Sequence, residues 1–215
     1  MTCADDGAAT TQGQAPRRIG VFGGAFDPPH LAHLAIARAA LEQFDLDLLL
    51  VIPTGQAWHR AGPTSDASHR LAMARLAFAG LGRVQIDDTE VRRAGPTYTV
   101  ETLLELRERH EAAQWWLLLG ADQAQKLSLW QRWQEILALA QLCVAGRNGQ
   151  LPPAGEDVAA QQAKAQGRWQ DLHLPVMTVS ATEVRRRVAA REDISGLVPG
   201  SIARYIAQHK LYQAH

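Results

Sequence analysis

Short apolar runs alternate along this chain with longer stretches in which apolar residues recur every three or four positions. The short runs are rich in leucine, isoleucine and valine, and they predict buried strands. The longer stretches have the period of amphipathic helices. The predicted strands are 18–22, 48–52, 84–87, 115–119 and 141–145, and the predicted helices are 34–44, 68–79, 100–110 and 121–140, the last interrupted near Ser128.

The order of these elements predicts the fold. Strands that alternate with helices form parallel sheets with both faces covered. The expected class is therefore α/β, a Rossmann-like doubly wound parallel sheet with helices on both faces. The first helix agrees, since Leu34, Ala37, Leu41 and Phe44 share one apolar face. In such sheets, ligands bind beyond the carboxyl ends of the strands.

Two stretches depart from this pattern. Residues 1–16 are mostly small and polar, include Asp5 and Asp6, and lack the apolar core of a secretory signal, so they predict a disordered tail. Residues 148–168 are rich in Gly, Pro, Gln and Ala and predict a connection with one short helix. Residues 17–215 are expected to form one domain.

Because no apolar run approaches membrane-spanning length, no membrane association is predicted.

Composition narrows the function classes. The 22 basic and 22 acidic residues balance, which argues against a general nucleic-acid-binding surface. The two cysteines, Cys3 and Cys143, form no disulfide framework or zinc-binding spacing, and this fits a cytoplasmic location. Cys143 falls in the apolar run 142–145 and is predicted to be a small core residue.

The first motif with chemistry is the stretch 23–33, which reads GGAFDPPHLAH and lies between the first predicted strand and helix. A strand, a glycine turn and a helix N-terminus together form an anion site, because the backbone can approach a phosphate there. His30 and His33 are predicted to lie on the first helical turn and to add donors on one side. The alternative is a helix-capping turn with surface histidines; a dehydrogenase-type loop is disfavoured because G-x-G-x-x-G is absent.

The second motif, VSATEVR at 179–185, predicts another helix start. Ser180 and Glu183 have the spacing of a capping box. Thr182 offers a hydroxyl and Arg185 a planar fork of donors, which suit a second phosphate group. An ordinary capped basic helix, continued by 186–187, is the alternative.

Together these motifs resemble the signature of the nucleotidyltransferase superfamily. Its turn reads G-G-x-F-D-P, its H-x-G-H element appears here with Ala32 for glycine, and its I-S-S-T-x-I-R element appears with Ala181 for the second serine. The resemblance implies catalytic roles for His30, His33 and Arg185. It further implies that the same three residues contact ATP together with Gly23, Gly24, Phe26, Gly120, Asp122, Ser180 and Thr182. Asp122 is alternatively a helix cap.

A third group of motifs is similar to one branch of that superfamily, the bacterial nicotinate-nucleotide adenylyltransferases. The motifs are EVRRAGPTYTVETL at 90–103, LLGAD at 118–122, LWQRW at 129–133 and VAGR at 144–147, and the resemblance extends to about 212. It implies that the nicotinate nucleotide is contacted by Ala25, Arg60, Thr97, Tyr98, Thr99 and Trp130. Trp130 or Trp133 could stack on a pyridine ring or pack in the core. Arg60 stands where the branch usually has lysine.

The activity implied by the resemblance is adenylyl transfer from ATP to nicotinate mononucleotide, with Mg²⁺ arriving on ATP and no metal held by the protein. Two alternatives stay open. One is a sister transferase that uses pantetheine phosphate or a cytidine nucleotide, and the other is a non-catalytic nucleotide-binding module. The sequence predicts no nucleic-acid partner and leaves the oligomeric state undetermined.

Overall fold

A computed structural model describes residues 18–57, 65–146 and 157–213. The strands within these ranges are β1 Arg18–Gly24, β2 Leu48–Pro53, β3 Gln56–Ala57, β4 Val84–Ile86, β5 Pro96–Thr97, β6 Gln114–Gly120, β7 Gln141–Ala145 and β8 Trp169–Leu172. The α-helices are α1 Leu31–Gln43, α2 Ala67–Phe78, α3 Thr89–Arg92, α4 Thr99–Arg109, α5 Ala121–Ala124, α6 Trp133–Leu139, α7 Val158–Ala165, α8 Ala181–Ala189 and α9 Gly200–Gln208. A 3₁₀ helix at Leu127–Leu129 separates α5 from α6.

The main sheet of the described chain has the order β4-β2-β1-β6-β7-β8, and its pairs are all parallel. This order confirms the predicted doubly wound α/β class. The chain builds outward from β1 through β2 to β4, then returns to place β6 on the other side of β1. The order in which the chain adds strands therefore reverses between β1 and β6. The carboxyl ends of these two strands, Gly24 and Gly120, flank the crevice where such folds bind ligands.

Two apolar cores cover the two faces of the sheet. Alternate residues of β1 point to opposite sides, so Phe22 belongs to the first core, while Ile19 and Val21 belong to the second. Helices α1, α2, α8 and α9 contribute to the first core, and α4, α6 and α7 contribute to the second. The predicted apolar face of α1 lies against the first core, and Cys143 is fully buried there, as predicted.

Several elements differ from the prediction. Strand β8 was not predicted because its sequence, WQDL, contains no apolar run; it lies at the sheet edge, where only one neighbouring strand pairs with it. The two-stranded β3–β5 sheet and helices α3 and α9 were also missed. Helix α7 is the short helix predicted within 148–168, and the predicted break near Ser128 is present. The predicted tail 1–16 lies outside the described residues.

None of the helices in the three described ranges has both the length and the apolar character needed to span a bilayer.

Candidate active site

A cavity of about 1020 Å³ opens at the carboxyl ends of β1, β2 and β6. Its volume is at the upper end for small-molecule sites, so it can hold a ligand larger than one mononucleotide. Most of the residues singled out by the sequence motifs line this one cavity. They are Gly23, Gly24, Ala25, Phe26, His30, His33, Thr97, Thr99, Gly120, Trp130, Thr182 and Arg185.

Other predicted site residues are placed differently. Ser180 caps α8, because its hydroxyl accepts the Glu183 N–H at 3.2 Å. Asp122 lies in the first turn of α5, and Tyr98 immediately precedes α4 and packs against the second core. None of these three side chains belongs to the cavity wall. Arg60 lies outside the described residues.

The two histidines are in contact with each other. Their rings stack with centroids 3.7 Å apart and planes inclined by 22°, and the His30 N–H donates to His33 Nδ1 at 3.2 Å. The prediction that both lie in the first helical turn is wrong for His30, which is the N-cap residue in extended conformation. Helix α1 begins at Leu31, whereas the apolar period had indicated a start at Leu34. The helix starts earlier because the His33 ring accepts the His30 N–H and so closes the first turn.

Burial keeps both imidazoles neutral at pH 7 in the ligand-free protein. It lowers the pKa of His30 to about 4. Desolvation also holds the pKa of His33 well below its ordinary value, and the neighbouring His30 adds to this effect. Since His33 Nδ1 accepts a hydrogen bond, the proton of the neutral His33 ring is on Nε2. A phosphate beside the pair would favour the protonated rings and raise both pKa values.

The start of α1 offers fewer backbone donors than predicted. The Leu31 N–H donates to the Leu197 carbonyl at 2.9 Å, and the His33 N–H donates to the His30 carbonyl at 2.9 Å. Leu197 belongs to the segment before α9, whose position could not be read from the local pattern. Two of the N–H groups that were expected to face a phosphate therefore have carbonyl partners within the chain.

The glycine turn shapes the wall beside His33. A Cβ on Gly24 would lie 3.1 Å from the Phe26 ring, whereas a Cβ on Gly23 would meet no described atom within 4 Å. Phe26 is buried and has φ of +48°, a left-handed conformation that is uncommon for an aromatic residue. Its ring meets the His33 ring edge-on at 5.0 Å, so the turn orients the imidazole.

Arg185 differs from the two arginines that follow it. Its Nη1 donates to the Asp27 carbonyl at 2.6 Å, and its Nη2 donates to Thr182 Oγ1 at 3.4 Å. These contacts direct the guanidinium to the turn that carries the histidines. Arg186 and Arg187 instead pair with the half-buried Glu183 side chain at 2.9 and 2.7 Å, and neither lines the cavity.

A buried carboxyl group that the sequence analysis missed, that of Glu90, also lines the cavity. Glu90 accepts the Thr102 hydroxyl at 2.9 Å, and burial raises the pKa of its carboxyl group. Arg93 donates to the same hydroxyl at 3.2 Å and to Glu105 at 2.8 Å. A Cβ on Gly55 would lie 2.0 Å from the Glu90 carbonyl oxygen, so the backbone before β3 packs directly on this network.

Arg70 was also missed, although the sequence carries a signal for it. It shares the buried face of α2 with Met73, Ala74 and Ala77, and a charged residue on an apolar face demands partners. Its guanidinium donates to the carbonyls of Ala25 at 3.1 Å and Thr54 at 2.6 Å. Arg70 thereby ties the glycine turn to the end of β2.

Replacing Arg70 with methionine is expected to lower the free energy of unfolding by about 3 kcal/mol, because buried carbonyls lose a charged donor. Urea denaturation measures the change. Arg38→Met, on the exposed side of α1, is the control and should change stability by less than about 0.5 kcal/mol. Equal shifts in the two variants would contradict a structural role for the Arg70 contacts.

Comparison with known proteins identifies the family of this chain. The sequence profile of the family described as cytidylyltransferase-like matches residues 21–187, a range that contains the glycine turn, both histidines and Arg185. The chain belongs to the cytidylyltransferase-like family. Its parallel sheet is thus the fold of that family.

Close relatives within the family confirm the branch predicted from the motifs. A protein of Albidiferax ferrireducens is 49% identical over 197 residues, covering 92% of this chain and 98% of its own length. A protein of Chromobacterium violaceum is 43% identical, covering 91% and 99%. Both bear the name "Probable nicotinate-nucleotide adenylyltransferase".

Solved structures of the family show the same fold. Plasmodium falciparum nicotinic acid mononucleotide adenylyltransferase complexed with NaAD has a TM-score of 0.72 at 17% identity, covering 91% of this chain and 97% of that one. A putative nicotinate-nucleotide adenylyltransferase from Vibrio parahaemolyticus has a TM-score of 0.66 at 20% identity, covering 93% and 97%.

Proposed function

We propose that this protein transfers the adenylyl group of ATP to nicotinate mononucleotide, producing nicotinate adenine dinucleotide and pyrophosphate. The observation that carries the proposal is the single cavity that brings three sets of residues together. The histidine pair, Arg185, and the two residues Thr97 and Trp130 all line it. The names of the relatives agree with this activity.

The proposed reaction is a displacement at phosphorus. A phosphate oxygen of nicotinate mononucleotide attacks the α-phosphorus of ATP, the bond from that phosphorus to the bridging oxygen breaks, and pyrophosphate leaves with the electron pair. No covalent enzyme intermediate is needed, so catalysis rests on alignment and charge stabilisation. We assign to His30 and His33 the transferring phosphoryl group, and to Thr182 and Arg185 the leaving phosphates.

The substrate is the Mg²⁺ complex of ATP, in which the ion offsets phosphate charge. Within the described ranges, no group of three or more His, Cys, Asp and Glu side chains could hold a metal ion. Because Mg²⁺ is commonly held through the phosphates of its substrate, we infer that phosphate oxygens carry the ion. We also propose that the enzyme acts in the cytoplasm.

The proposed nicotinate subsite lies at the start of α4. Thr97 and Thr99 line the cavity, and the positive end of the helix dipole favours a carboxylate there. Trp130 lines the same cavity and packs against the second core, so its ring is held for stacking. Glu90 lines the same cavity. Its negative charge is offset by the Arg93 guanidinium, because both groups contact the Thr102 hydroxyl.

We expect nicotinate mononucleotide to be preferred over nicotinamide mononucleotide. Charge-assisted hydrogen bonds to the ring carboxylate contribute about 1.5–3 kcal/mol, which corresponds to roughly a 10- to 100-fold difference in kcat/KM. The measurement is kcat/KM for the two mononucleotides at equal ATP and magnesium. Equal values, or a preference for the amide, would reject the carboxylate subsite and leave adenylyl transfer standing.

One assay tests the proposed function itself. The protein is incubated with Mg·ATP and, in separate reactions, with each mononucleotide or with pantetheine phosphate, and pyrophosphate release is followed. A parallel reaction pairs CTP with a phosphorylated alcohol. Release with nicotinate mononucleotide supports the proposal. Release only with pantetheine phosphate or CTP would identify a sister transferase, and no release with any pair would indicate a nucleotide-binding module.

A further inference from the structure

Asp27 lies at the centre of contacts that join four separate parts of the chain. Its Oδ2 accepts the Ser65 N–H at 3.1 Å, and its Oδ1 accepts the Tyr212 hydroxyl at 2.5 Å. Its main-chain carbonyl accepts Arg185 Nη1 at 2.6 Å. Asp27 is buried and lines the cavity. The C-terminal segment therefore reaches the turn that carries the proposed phosphate-binding groups.

We propose that Tyr212 is a positioning residue for the binding of the ATP phosphates. Its hydroxyl fixes the Asp27 carboxylate, and the carbonyl of the fixed Asp27 sets the position of the Arg185 guanidinium. This inference rests on the proposed function, because it concerns how Arg185 is presented to the leaving phosphates.

The turn around Asp27 needs such tertiary support. The preceding residue, Phe26, has φ of +48°, a conformation that persists when surrounding contacts hold it. Tyr212 is itself anchored, since it packs with Leu211 against the first core. Burial and the Asp27 carboxylate raise the pKa of the Tyr212 hydroxyl, so the phenol keeps its proton and donates it to the carboxylate in a charge-assisted hydrogen bond.

The contacts also keep the Asp27 carboxylate and the Arg185 guanidinium from pairing with each other. The Asp27 carboxylate is occupied by Ser65 and Tyr212, whereas Arg185 contacts the neutral carbonyl of the same residue. Without the Tyr212 hydroxyl, the carboxylate loses one of these two donors. The Arg185 guanidinium, which already contacts the carbonyl of the same residue, then becomes the alternative partner of the carboxylate and is drawn away from the phosphates.

Tyr212→Phe removes the hydroxyl and keeps the ring. We expect the dissociation constants of Mg·ATP and Mg·pyrophosphate, measured by isothermal titration calorimetry, to rise about tenfold. The KM for the mononucleotide should stay within about twofold, a split that general loosening of the fold would not produce. The matched control is Tyr205→Phe on α9, whose hydroxyl meets His69 Nδ1 at 2.9 Å away from the cavity; it should leave both dissociation constants unchanged.

A double-mutant cycle tests the route through Arg185. If Tyr212 acts by placing that guanidinium, Tyr212→Phe should have no further effect on Mg·ATP binding in an Arg185→Ala background. Additive effects, or wild-type dissociation constants in Tyr212→Phe, would overturn the proposal. The binding measurements need no second substrate. A wild-type protein that binds Mg·ATP but transfers nothing would reject the proposed function and leave the Tyr212 test intact.

Discussion

Replacing His33 with alanine is expected to lower kcat by about 10²–10³-fold, the typical loss when one preorganised transition-state donor is removed. The affinity for Mg·ATP should change far less, since other groups of the cavity still hold the ground-state phosphates. The reason is geometric: the His30 N–H occupies His33 Nδ1, so Nε2 is the nitrogen left to face a transferring group. Steady-state kinetics and ATP titration together separate the two effects.

His209→Ala is a suitable control for this prediction, because His209 is exposed next to Tyr205 and does not line the cavity. Its turnover should match that of the unsubstituted protein. Thermal unfolding of both variants shows whether loss of the edge-on contact between Phe26 and His33 has altered the fold. Near-normal turnover in a folded His33→Ala protein would contradict the assignment.

Arg185→Ala is expected to lower kcat/KM for ATP by about 10²-fold or more, since a guanidinium that offsets developing phosphate charge contributes strongly to phosphoryl transfer. Use of pyrophosphate in the reverse reaction should fall in parallel. The guanidinium is placed by the Asp27 carbonyl and Thr182, whereas Arg186 and Arg187 do not line the cavity.

Arg187→Ala provides the matched comparison two residues along α8. Arg187 pairs with Glu183 at the surface, and exposed ion pairs of this kind contribute little, about 0–1 kcal/mol. Its removal should therefore change kcat/KM for ATP by less than about threefold. Equal losses in the two variants would mean that α8 acts as a general basic face rather than through one placed arginine.

Local patterns were sufficient for five strands of the main sheet and for the motifs. The apolar runs that became β1, β2, β6 and β7 are buried on both sides, and such strands are apolar at nearly every position. The glycine turn and the Ser180 cap were also readable, because their residue types follow from backbone geometry within a few positions. Once the strands were parallel, the glycine turn, which follows β1, had to lie at the edge formed by their carboxyl ends.

Local patterns failed where a residue's partner lies far along the chain. Strand β8 pairs with a single neighbour, so its sequence keeps polar residues and no apolar run. Leu197 takes an N–H of α1 that had been expected to face a phosphate. Glu90 and Arg93 became visible as one wall only when α3 and α4 were packed together.

The sequence by itself determined the α/β class, the family and the two turn-and-helix motifs that were predicted to bind phosphate, because each is written in short segments with strong backbone preferences. The tertiary structure alone decided that Arg70 braces the glycine turn and that Tyr212 reaches Asp27 from 185 positions away. Hydrogen bonds of this kind depend on where whole elements pack, and no local spacing encodes that.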